Sequence, residues 1–274
     1  MVADLHVHSI FSDGSYSPEQ LVDMAIEKGL KAIALADHDT VEGVEKMIIA
    51  GKEKGIEVIP AIELSTYCDK AEIHILGYKI DYKADFFLEE VKRLFKIRQE
   101  RAEKMVKKLN EIGVKISYLD VKELAGDKYI GRPHIAKALL HAGYINKIEE
   151  AFTKEYIANG GRAYVPKERI APENAIELIH KAGGVAVLAH PYLVNKGDSF
   201  DREGIEKLRD IGLDGVEVYH SKHDQETSKY YKKIAEDLDL LITGGSDFHG
   251  ETSPDVELGD IRINEESLRK VKEA

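Results

Sequence analysis

Nine residues of the types that bind metal ions stand at or near the ends of predicted strands. Two of them, His6 and His8, belong to the alternating run 3–8, and a strand directs every second side chain to the same face. Their two imidazoles can therefore approach one divalent ion. The full set of candidate metal ligands comprises six histidines and three carboxylates: His6, His8, Asp13, His38, Glu63, His74, His190, Asp247 and His249.

Most of these ligands follow an apolar run that ends in a histidine or a carboxylate. Asp13 lies on a Ser-Asp-Gly turn, His38 follows the apolar run 32–36, and His190 follows the run 185–189. In parallel α/β folds the carboxyl ends of the strands face one mouth, so residues far apart in sequence meet there. A lone histidine is more often satisfied by a local hydrogen bond, but recurrence at nine positions favours a metal centre.

Length and cysteine content narrow the class of protein. The chain has 274 residues and a mass of 30.7 kDa, which fits one α/β barrel of about 250 residues with an insertion. Cys68 is the only cysteine, so an internal disulfide and a cysteine-based zinc site are both excluded. The sequence shows no charged leader and no run of ~20 apolar residues, so we expect a cytoplasmic protein that does not span a membrane.

The charge of the chain bears on its substrates. The net charge is −11, which disfavours a broad nucleic-acid surface, because phosphate backbones are bound chiefly by lysine and arginine. An anionic substrate therefore needs a locally positive site. With neutral imidazoles the nine ligands carry −3, and three divalent ions would change this to +3. Such a pocket suits a phosphate group.

Predicted strands and helices alternate in the first third of the chain. Ser17 is a suitable N-cap for a helix over 18–29, with Pro18 in its first turn and Gly29 as its stop. The segments that follow are a strand at 32–36, a helix over 41–54, a strand over 56–63 and a strand around His74. This alternation predicts right-handed βαβ units around a parallel sheet.

Between residues 85 and 164 the pattern changes to helices, predicted over 86–112, 119–125, 133–141 and 147–158. We interpret this stretch as an inserted helical subdomain that forms a lid or a substrate wall, between barrel parts at 1–84 and 165–274. The barrel pattern then resumes, with helices over 172–181, 200–211 and 226–239 and strands over 184–190, 215–219 and 240–246. The predicted strands number seven in all.

Taken together, these segments resemble the polymerase and histidinol phosphatase (PHP) superfamily over nearly the whole chain. The resemblance is carried by the motifs at 4–9, 12–14, 36–40, 189–191 and 245–249, with Glu63 and His74. It implies a barrel with three metals at its mouth and agrees with the separate count of seven strands. The expected fold is thus an α/β, distorted (βα)7 TIM-like barrel with a helical insertion subdomain.

Within that superfamily the chain is similar to metal-dependent phosphoesterases that act on 3′,5′-nucleoside bisphosphates, some of which trim short RNA from its 5′ end. Asp13, the helical insertion and the segments 131–135 and 218–223 carry this closer resemblance. The ligand sets that it implies are His6, His8, Glu63 and Asp247 for a first metal, Glu63, His74 and His190 for a second, and Asp13, His38 and His249 for a third.

Nitrogen and oxygen ligands without thiolate suit Mn²⁺, Zn²⁺ or Fe²⁺, and we expect three Mn²⁺ ions with Zn²⁺ or Fe²⁺ as alternatives. A hydroxide between two ions would attack phosphorus in line, because coordination lowers the pKa of water from about 15.7 towards about 7. No covalent phosphoenzyme is needed. Asp37, Asp39 and His220 are expected to orient the ligands rather than to bind metal.

Four residues are candidates for contacts with the substrate. Arg132 and His134 start a predicted helix, where they can bind a second phosphate, although a solvent-facing arginine and a capping histidine are the alternatives. His223 either contacts phosphate or protonates the leaving alcohol, which makes it a candidate catalytic residue beside Asp247, unless it is an ordinary loop histidine. Arg162 either reaches the substrate or faces solvent.

The leading hypothesis is a hydrolase that removes the 3′-phosphate from a 3′,5′-nucleoside bisphosphate and releases the 5′-monophosphate. A 5′–3′ exoribonuclease for short RNA would use the same nucleophile on a diester, and a histidinol phosphate phosphatase would share the metal scaffold. A noncatalytic, metal-stabilised binding module is the alternative outside enzymes. The expected partner is a small phosphorylated nucleotide or short RNA, with no membrane and no obligatory protein partner.

Overall fold

The computed structural model describes residues 2–68, 71–125, 130–166, 170–194 and 200–274. The chain forms two compact units. The first contains Met1–Val91 and Arg169–Ala274, and the second contains Lys92–Glu168. All nine candidate metal ligands belong to the first unit, whereas Arg132, His134 and Arg162 belong to the second.

The first unit is built on a sheet of seven strands that neighbour one another in chain order. The strands are β1 (Ala3–Val7), β2 (Ala32–Leu35), β3 (Glu57–Cys68), β4 (Ala71–Tyr78), β5 (Val185–Leu188), β6 (Gly215–His220) and β7 (Leu241–Gly245). After β7 the chain returns to β1, where the amide of Asp247 donates to the carbonyl of His6 at 2.8 Å. The sheet is thus a nearly closed barrel, which confirms the predicted α/β, TIM-like fold with seven strands.

β4 runs opposite to its two neighbours, so the prediction of a parallel sheet is wrong at this strand. β4 pairs antiparallel with β3 and with β5, whereas β1–β2, β2–β3, β5–β6 and β6–β7 are parallel. The reason is the short connection: Cys68 pairs with Ala71, and a parallel crossover needs about a dozen residues or more. His74 consequently lies in the first half of β4, opposite Ser65, rather than at the carboxyl end of a strand.

The described residues contain nine α-helices: α1 (Pro18–Glu27), α2 (Val44–Lys54), α3 (Asp85–Glu111), α4 (Tyr118–Ala125), α5 (Arg132–His141), α6 (Pro172–Lys181), α7 (Arg202–Asp210), α8 (Gln225–Asp237) and α9 (Glu265–Glu273). α1 begins as the sequence predicts, because the side chain of Ser17 accepts from the amide of Gln20 and Pro18 is in the first turn. α2 begins at Val44 instead of Val41. None of the helices in the described ranges is both long and apolar enough to cross a membrane.

The predicted helix over 147–158 is wrong. The structure has a 3-10 helix at Ile148–Phe152, followed by turns. The hydroxyl of Thr153 donates to the carbonyl of Glu150 at 3.0 Å, and the amide of Tyr156 donates to the carbonyl of Thr153 at 3.1 Å. Contacts across three residues replace the four-residue spacing that an α-helix needs.

Two apolar clusters stabilise the barrel. In the first, Leu21 and Ala25 of α1 and Met47 of α2 pack against Ile33 and Leu35 of β2. The second joins strands β1 to β5 to helix α9. Each fully buried Leu or Ile contributes about 1.5–3 kcal/mol, so these clusters fix the strands to which the candidate ligands are attached.

β7 approaches β1 at Gly245, where no side chain would fit. A Cβ atom at this position would lie 2.3 Å from the Cβ of His6 and 2.4 Å from its amide nitrogen. The glycine therefore allows the chain that leads to Asp247 to lie directly beside His6.

The second unit has its own hydrophobic core. Its buried side chains come from the part of α3 beyond residue 91, from α4 and α5 and from the 3-10 helix, and they include Met105, Leu109, Val121, Ile135, Leu139 and Ala151. Arg101 and Lys108 of α3 donate to the carbonyls of Val165 and Tyr164, each at 2.8 Å. The role of this unit as a lid or substrate wall stays a prediction.

Candidate metal centre

Four residues, His6, His8, Glu63 and Asp247, bring two imidazole nitrogens close to two carboxylate oxygens, and we name this group the first cage. His6 Nε2 lies 3.3 Å from Glu63 Oε2 and 3.4 Å from Asp247 Oδ1. His8 Nε2 lies 3.3 Å and 3.1 Å from the same two oxygens. Two ligands about 2.05 Å from one ion at a tetrahedral angle are about 3.3 Å apart, so each of these four histidine–carboxylate distances suits two ligands of a shared metal.

Several atoms of the first cage lack hydrogen-bond partners. The Nε2 atoms of His6 and His8 and the Oε2 atom of Glu63 are buried, and no group in the described ranges forms a hydrogen bond with them. An unpaired buried polar atom costs roughly 1–3 kcal/mol, and more when it is charged. A bound cation removes that cost, so this donor set fits a divalent metal.

Glu63 lies at the centre of the arrangement, in contact with five histidines. Its Oε1 is 2.7 Å from His74 Nδ1 and 2.9 Å from His190 Nε2. Its Oε2 faces the first cage and is also 2.9 Å from His38 Nδ1. One carboxylate therefore joins the first cage to a second group that contains His74 and His190.

A third group surrounds Asp13, on the turn after β1. His249 Nε2 lies 3.2 Å from Asp13 Oδ1, and His38 Nε2 lies 3.8 Å from Asp13 Oδ2. His8 joins these three residues in a set of ligand atoms that lie within 4.8 Å of one another. The structure thus brings all nine candidate ligands together, and it places His8 between the first cage and the third group.

Two of the candidate ligands have an unusual backbone conformation. His190 has a φ of 24° and Asp247 a φ of 57°, in a region that residues other than glycine seldom adopt. Such conformations cost free energy and are retained where the surrounding structure determines them, which is common at functional sites. At both positions the turn directs a ligand that follows a strand, and strand periodicity alone gives no signal of it.

Asp37 and Asp39 hold the loops beside the ligands. Asp37 accepts hydrogen bonds from the amide of Ser9 at 2.7 Å and from the hydroxyls of Ser9 and Ser12, each at 2.6 Å. These bonds fix the turn after β1. Asp39 accepts from the amide of Ser65 at 2.9 Å, on the extended part of β3.

Glu217 is a residue of the site that the sequence reasoning missed. It is buried on β6, where Oε1 lies 3.0 Å from His6 Nδ1 and Oε2 accepts from the amide of His190 at 2.8 Å. The available signal is a lone carboxylate inside an apolar strand, since a buried charge needs a partner. His220, which was expected to orient a ligand, donates from Nε2 to Asp247 Oδ2 at 3.2 Å, because its Nδ1 accepts from the amide of Lys222.

Without a bound cation, the carboxylates of the centre favour the protonated forms of His8 and His74. Burial lowers the pKa of His8, but Asp247 and Glu63 outweigh burial and raise this pKa to about 10. Burial also lowers the pKa of His74, and the Glu63 carboxylate outweighs it and raises this pKa to about 9. Because metal ligands must be deprotonated, protons on these imidazoles compete with a bound cation.

His223 lies beside His220, with their ring centroids 5.2 Å apart. Its Nδ1 donates to the carbonyl of Val218 at 2.9 Å, so a neutral ring has its lone pair on Nε2. Burial lowers the pKa of His223 to about 4. Nε2 is buried and has no hydrogen-bond partner among residues with described positions. Near neutral pH this position therefore offers a hydrogen-bond acceptor.

The other three candidate substrate contacts belong to the second unit. Arg132 Nη1 donates to Asn159 Oδ1 at 2.9 Å, and the side chain is partly exposed. His134 is buried, and its Nδ1 accepts from the amide of Gly131 at 3.1 Å, so it caps α5. Both of these hydrogen bonds lie within the second unit. Arg162 is exposed.

The chain is similar to known proteins over most of its length. The PHP domain family matches residues 4–182. A 5′-3′ exoribonuclease of Haemophilus influenzae is 37% identical over 249 residues, which cover 90% of this chain and 89% of that protein. A 3′,5′-nucleoside bisphosphate phosphatase of Chromobacterium violaceum is 30% identical over 256 residues, which cover 92% and 90%. A solved structure from Bifidobacterium adolescentis, described as a metal-dependent phosphoesterase, superposes with a TM-score of 0.88 at 30% identity and covers 99% of this chain and 95% of that one.

Proposed function

Because the chain belongs to the PHP domain family and is a hydrolase of phosphoric esters, we propose that its substrate is a 3′,5′-nucleoside bisphosphate. It removes the 3′-phosphate and releases the nucleoside 5′-monophosphate. The observation that carries the proposal is the position of Glu63, whose Oε2 faces the first cage and whose Oε1 faces His74 and His190. A carboxylate shared by two groups of ligands would hold two neighbouring cations, which would stabilise negative charge on the phosphoryl oxygens of a phosphate ester.

The nine ligands hold three divalent ions in this proposal, with Mn²⁺ preferred and Zn²⁺ or Fe²⁺ as alternatives, because every donor atom is nitrogen or oxygen. When bound, such ions lower the pKa of a coordinated water and stabilise negative charge on the phosphoryl oxygens. The residues of the chain position the groups that take part in this chemistry. Asp247 completes the first cage through Oδ1, while its Oδ2 accepts from His220.

His223 contacts the substrate through Nε2 in this proposal. A neutral imidazole with a proton on Nδ1 accepts at Nε2, so its partner must be a donor. An ionised phosphate oxygen has no proton to donate, whereas a nucleoside has hydroxyl and amine groups. His223 is thus assigned to the nucleoside part of the substrate or to a protonated phosphate, and a role as the acid for the leaving alcohol would require the substrate to raise its pKa.

A 5′-3′ exoribonuclease is the second candidate. It is favoured by the higher identity to the relative from Haemophilus influenzae, 37% against 30% for the bisphosphate phosphatase. The net charge of −11 favours the small substrate, because a long anionic strand is bound mainly by Lys and Arg. The two activities differ in whether a terminal monoester or an internal diester is cut.

Product analysis separates these candidates. Protein loaded with Mn²⁺ is incubated separately with 3′,5′-adenosine bisphosphate, with 5′-adenosine monophosphate and with a short 5′-phosphorylated RNA. Release of phosphate from the bisphosphate alone supports the proposal, whereas mononucleotides from the RNA point to the exoribonuclease. If none of the three is cleaved, the proposal is wrong, and histidinol phosphate and a noncatalytic binding role become the next hypotheses to test.

Replacing Arg132 with Ala should raise the KM for the bisphosphate by about 10-fold or more. A charge-assisted hydrogen bond contributes about 1.5–3 kcal/mol, and every 1.4 kcal/mol is about a tenfold change in affinity. The KM for p-nitrophenyl phosphate should change less than about twofold, because this substrate has no second phosphate. Lys137→Ala, at an exposed position on the same helix, is the control and should behave as the unmodified protein. Equal effects on both substrates would argue against phosphate binding by Arg132.

A further inference from the structure

Glu217 is a fully buried carboxylate that contacts two candidate metal ligands. Its Oε1 lies 3.0 Å from Nδ1 of His6, and its Oε2 accepts from the backbone amide of His190 at 2.8 Å. The residue is 0% exposed, so water does not compete for these bonds. Each oxygen of one carboxylate therefore holds a different ligand.

The two ligands belong to different parts of the centre. Nε2 of His6 faces Glu63 Oε2 at 3.3 Å in the first cage, whereas Nε2 of His190 faces Glu63 Oε1 at 2.9 Å. The two rings are stacked, with centroids 5.8 Å apart and planes at 19°. Glu63 thus contacts both histidines at their Nε2 atoms. Glu217 contacts the same two residues elsewhere, at Nδ1 of His6 and at the backbone amide of His190.

We propose that Glu217 is a positioning residue that fixes the metal-binding tautomer of His6 and sets the spacing between the first cage and the group containing His74 and His190. This inference rests on the metal centre of the proposed function and does not depend on which phosphate ester is cleaved. Carboxylates that hold a ligating histidine through its second nitrogen typically change metal affinity by about 10–100-fold when they are replaced.

The tautomer follows from the donors and acceptors around Glu217. The amide of His190 can only donate, so Oε2 must accept. When Nδ1 of His6 donates to Oε1, the lone pair of the ring lies on Nε2, which is the atom that faces Glu63 and Asp247. An ionised carboxylate, which has no proton to donate, accepts from both partners at the same time.

The same contact supports the backbone of His190. This residue has a φ of 24°, a conformation that residues with a side chain seldom adopt without support from their surroundings. The amide that donates to Glu217 belongs to that turn. Loss of the acceptor should therefore move His190 Nε2 relative to Glu63, and with it the second group of ligands.

Glu217→Gln tests the inference, because glutamine has the same size but one acceptor and one donor. Its oxygen must still serve the amide of His190, so its NH₂ group faces His6 and requires Nδ1 to accept. The proton of His6 then moves to Nε2, and the ligating lone pair is lost. We expect the affinity of the metal-stripped protein for Mn²⁺, measured by isothermal titration calorimetry, to fall by about 10–100-fold.

Glu57→Gln is the matched control, since it removes the same charge from an exposed position on β3. Its Mn²⁺ affinity should equal that of the unmodified protein. The inference is overturned if Glu217→Gln binds Mn²⁺ as tightly and with the same stoichiometry as the unmodified protein. If Glu217→Gln lowers the Mn²⁺ affinity but the unmodified protein cleaves none of the three nucleotide substrates, the proposed function is refuted. The role of Glu217 then stands.

The tautomer can also be measured without any substitution, which covers the case in which Glu217→Gln fails to fold. The unmodified protein is loaded with Zn²⁺, and long-range ¹H–¹⁵N correlation spectra are recorded for His6. A proton on Nδ1 and a metal-bound Nε2 support the inference. A proton on Nε2, or metal bound at Nδ1, overturns it.

Discussion

Replacing Glu63 with Gln should reduce phosphoester hydrolysis by about 10³-fold, because its carboxylate serves both groups of ligands at once. Oε2 belongs to the first cage, and Oε1 lies within 2.9 Å of His74 and His190. Glutamine keeps the size of the side chain, but its NH₂ group cannot bind a cation. A loss of about 4 kcal/mol of transition-state stabilisation corresponds to this factor, and several kcal/mol is the scale on which a bound metal acts.

The measurement is kcat/KM for the bisphosphate at saturating Mn²⁺, together with the metal content of the purified variant. Glu57→Gln lies on the same strand and loses the same charge, but Glu57 is exposed and pairs with Lys272 at 2.7 Å. Its activity should stay within about twofold of the unmodified protein, as expected for an exposed ion pair. Full activity of Glu63→Gln would contradict a bridging role for this carboxylate.

His8→Ala is a companion variant that removes one of the four atoms of the first cage. We expect it to abolish turnover while the barrel stays folded, because the side chain of His8 is not part of the apolar clusters that stabilise the strands. Far-UV circular dichroism checks the fold. Retained activity would contradict the assignment of His8 as a ligand.

The residue types of the centre are visible in the sequence, but their grouping is not. The alternation over 3–8 predicts that His6 and His8 share a face, and their Nε2 atoms do approach the same oxygens of Glu63 and Asp247. β1 also contains a bulge: Asp4 and Val7 pair with Ile33 and Leu35, so between these pairs β1 has one residue more than β2. No periodic pattern shows such an insertion.

The direction of β4 and the role of Glu217 were missed for different reasons. The short connection after Cys68 sets the antiparallel direction of β4, and this overrides the general preference for βαβ units. Glu217 is separated from His6 by 211 residues, and its contact requires the barrel to close. A buried carboxylate in an apolar strand was a signal that a partner must exist, but the identity of the partner follows only from the fold.

The metal-free protein should lose stability as the pH rises from 6.5 to about 10. The pKa of His8 is raised to about 10 and that of His74 to about 9, because Asp247 and Glu63 outweigh the effect of burial on these imidazoles. When the pKa of a group is higher in the folded state than in the unfolded state, protonation of that group favours folding. That contribution is complete below pH 6.5 and is lost as the pH passes through 9 and 10.

Below pH 6.5 the stability of the metal-free protein should instead fall as the pH falls. Burial lowers the pKa of His223 to about 4, so its neutral form favours folding above pH 6.5 and this contribution is lost as the pH falls towards 4. Burial raises the pKa of Glu63, but the nearby histidines hold it well below its usual value, so its contribution is also lost in acid. The metal-free protein should therefore be most stable between about pH 6 and pH 7.

The free energy of unfolding of chelated protein, measured in guanidinium chloride from pH 5 to pH 10, checks this dependence. His8→Gln should flatten the alkaline decline, whereas His141→Gln, at an exposed position on α5, should leave it unchanged. Loading with Mn²⁺ should also remove the alkaline decline, because the cation takes the place of the protons on the same imidazoles. A decline that persists unchanged after loading, or a metal-free protein equally stable at pH 7 and pH 10, would contradict the pairing of these histidines with Glu63 and Asp247.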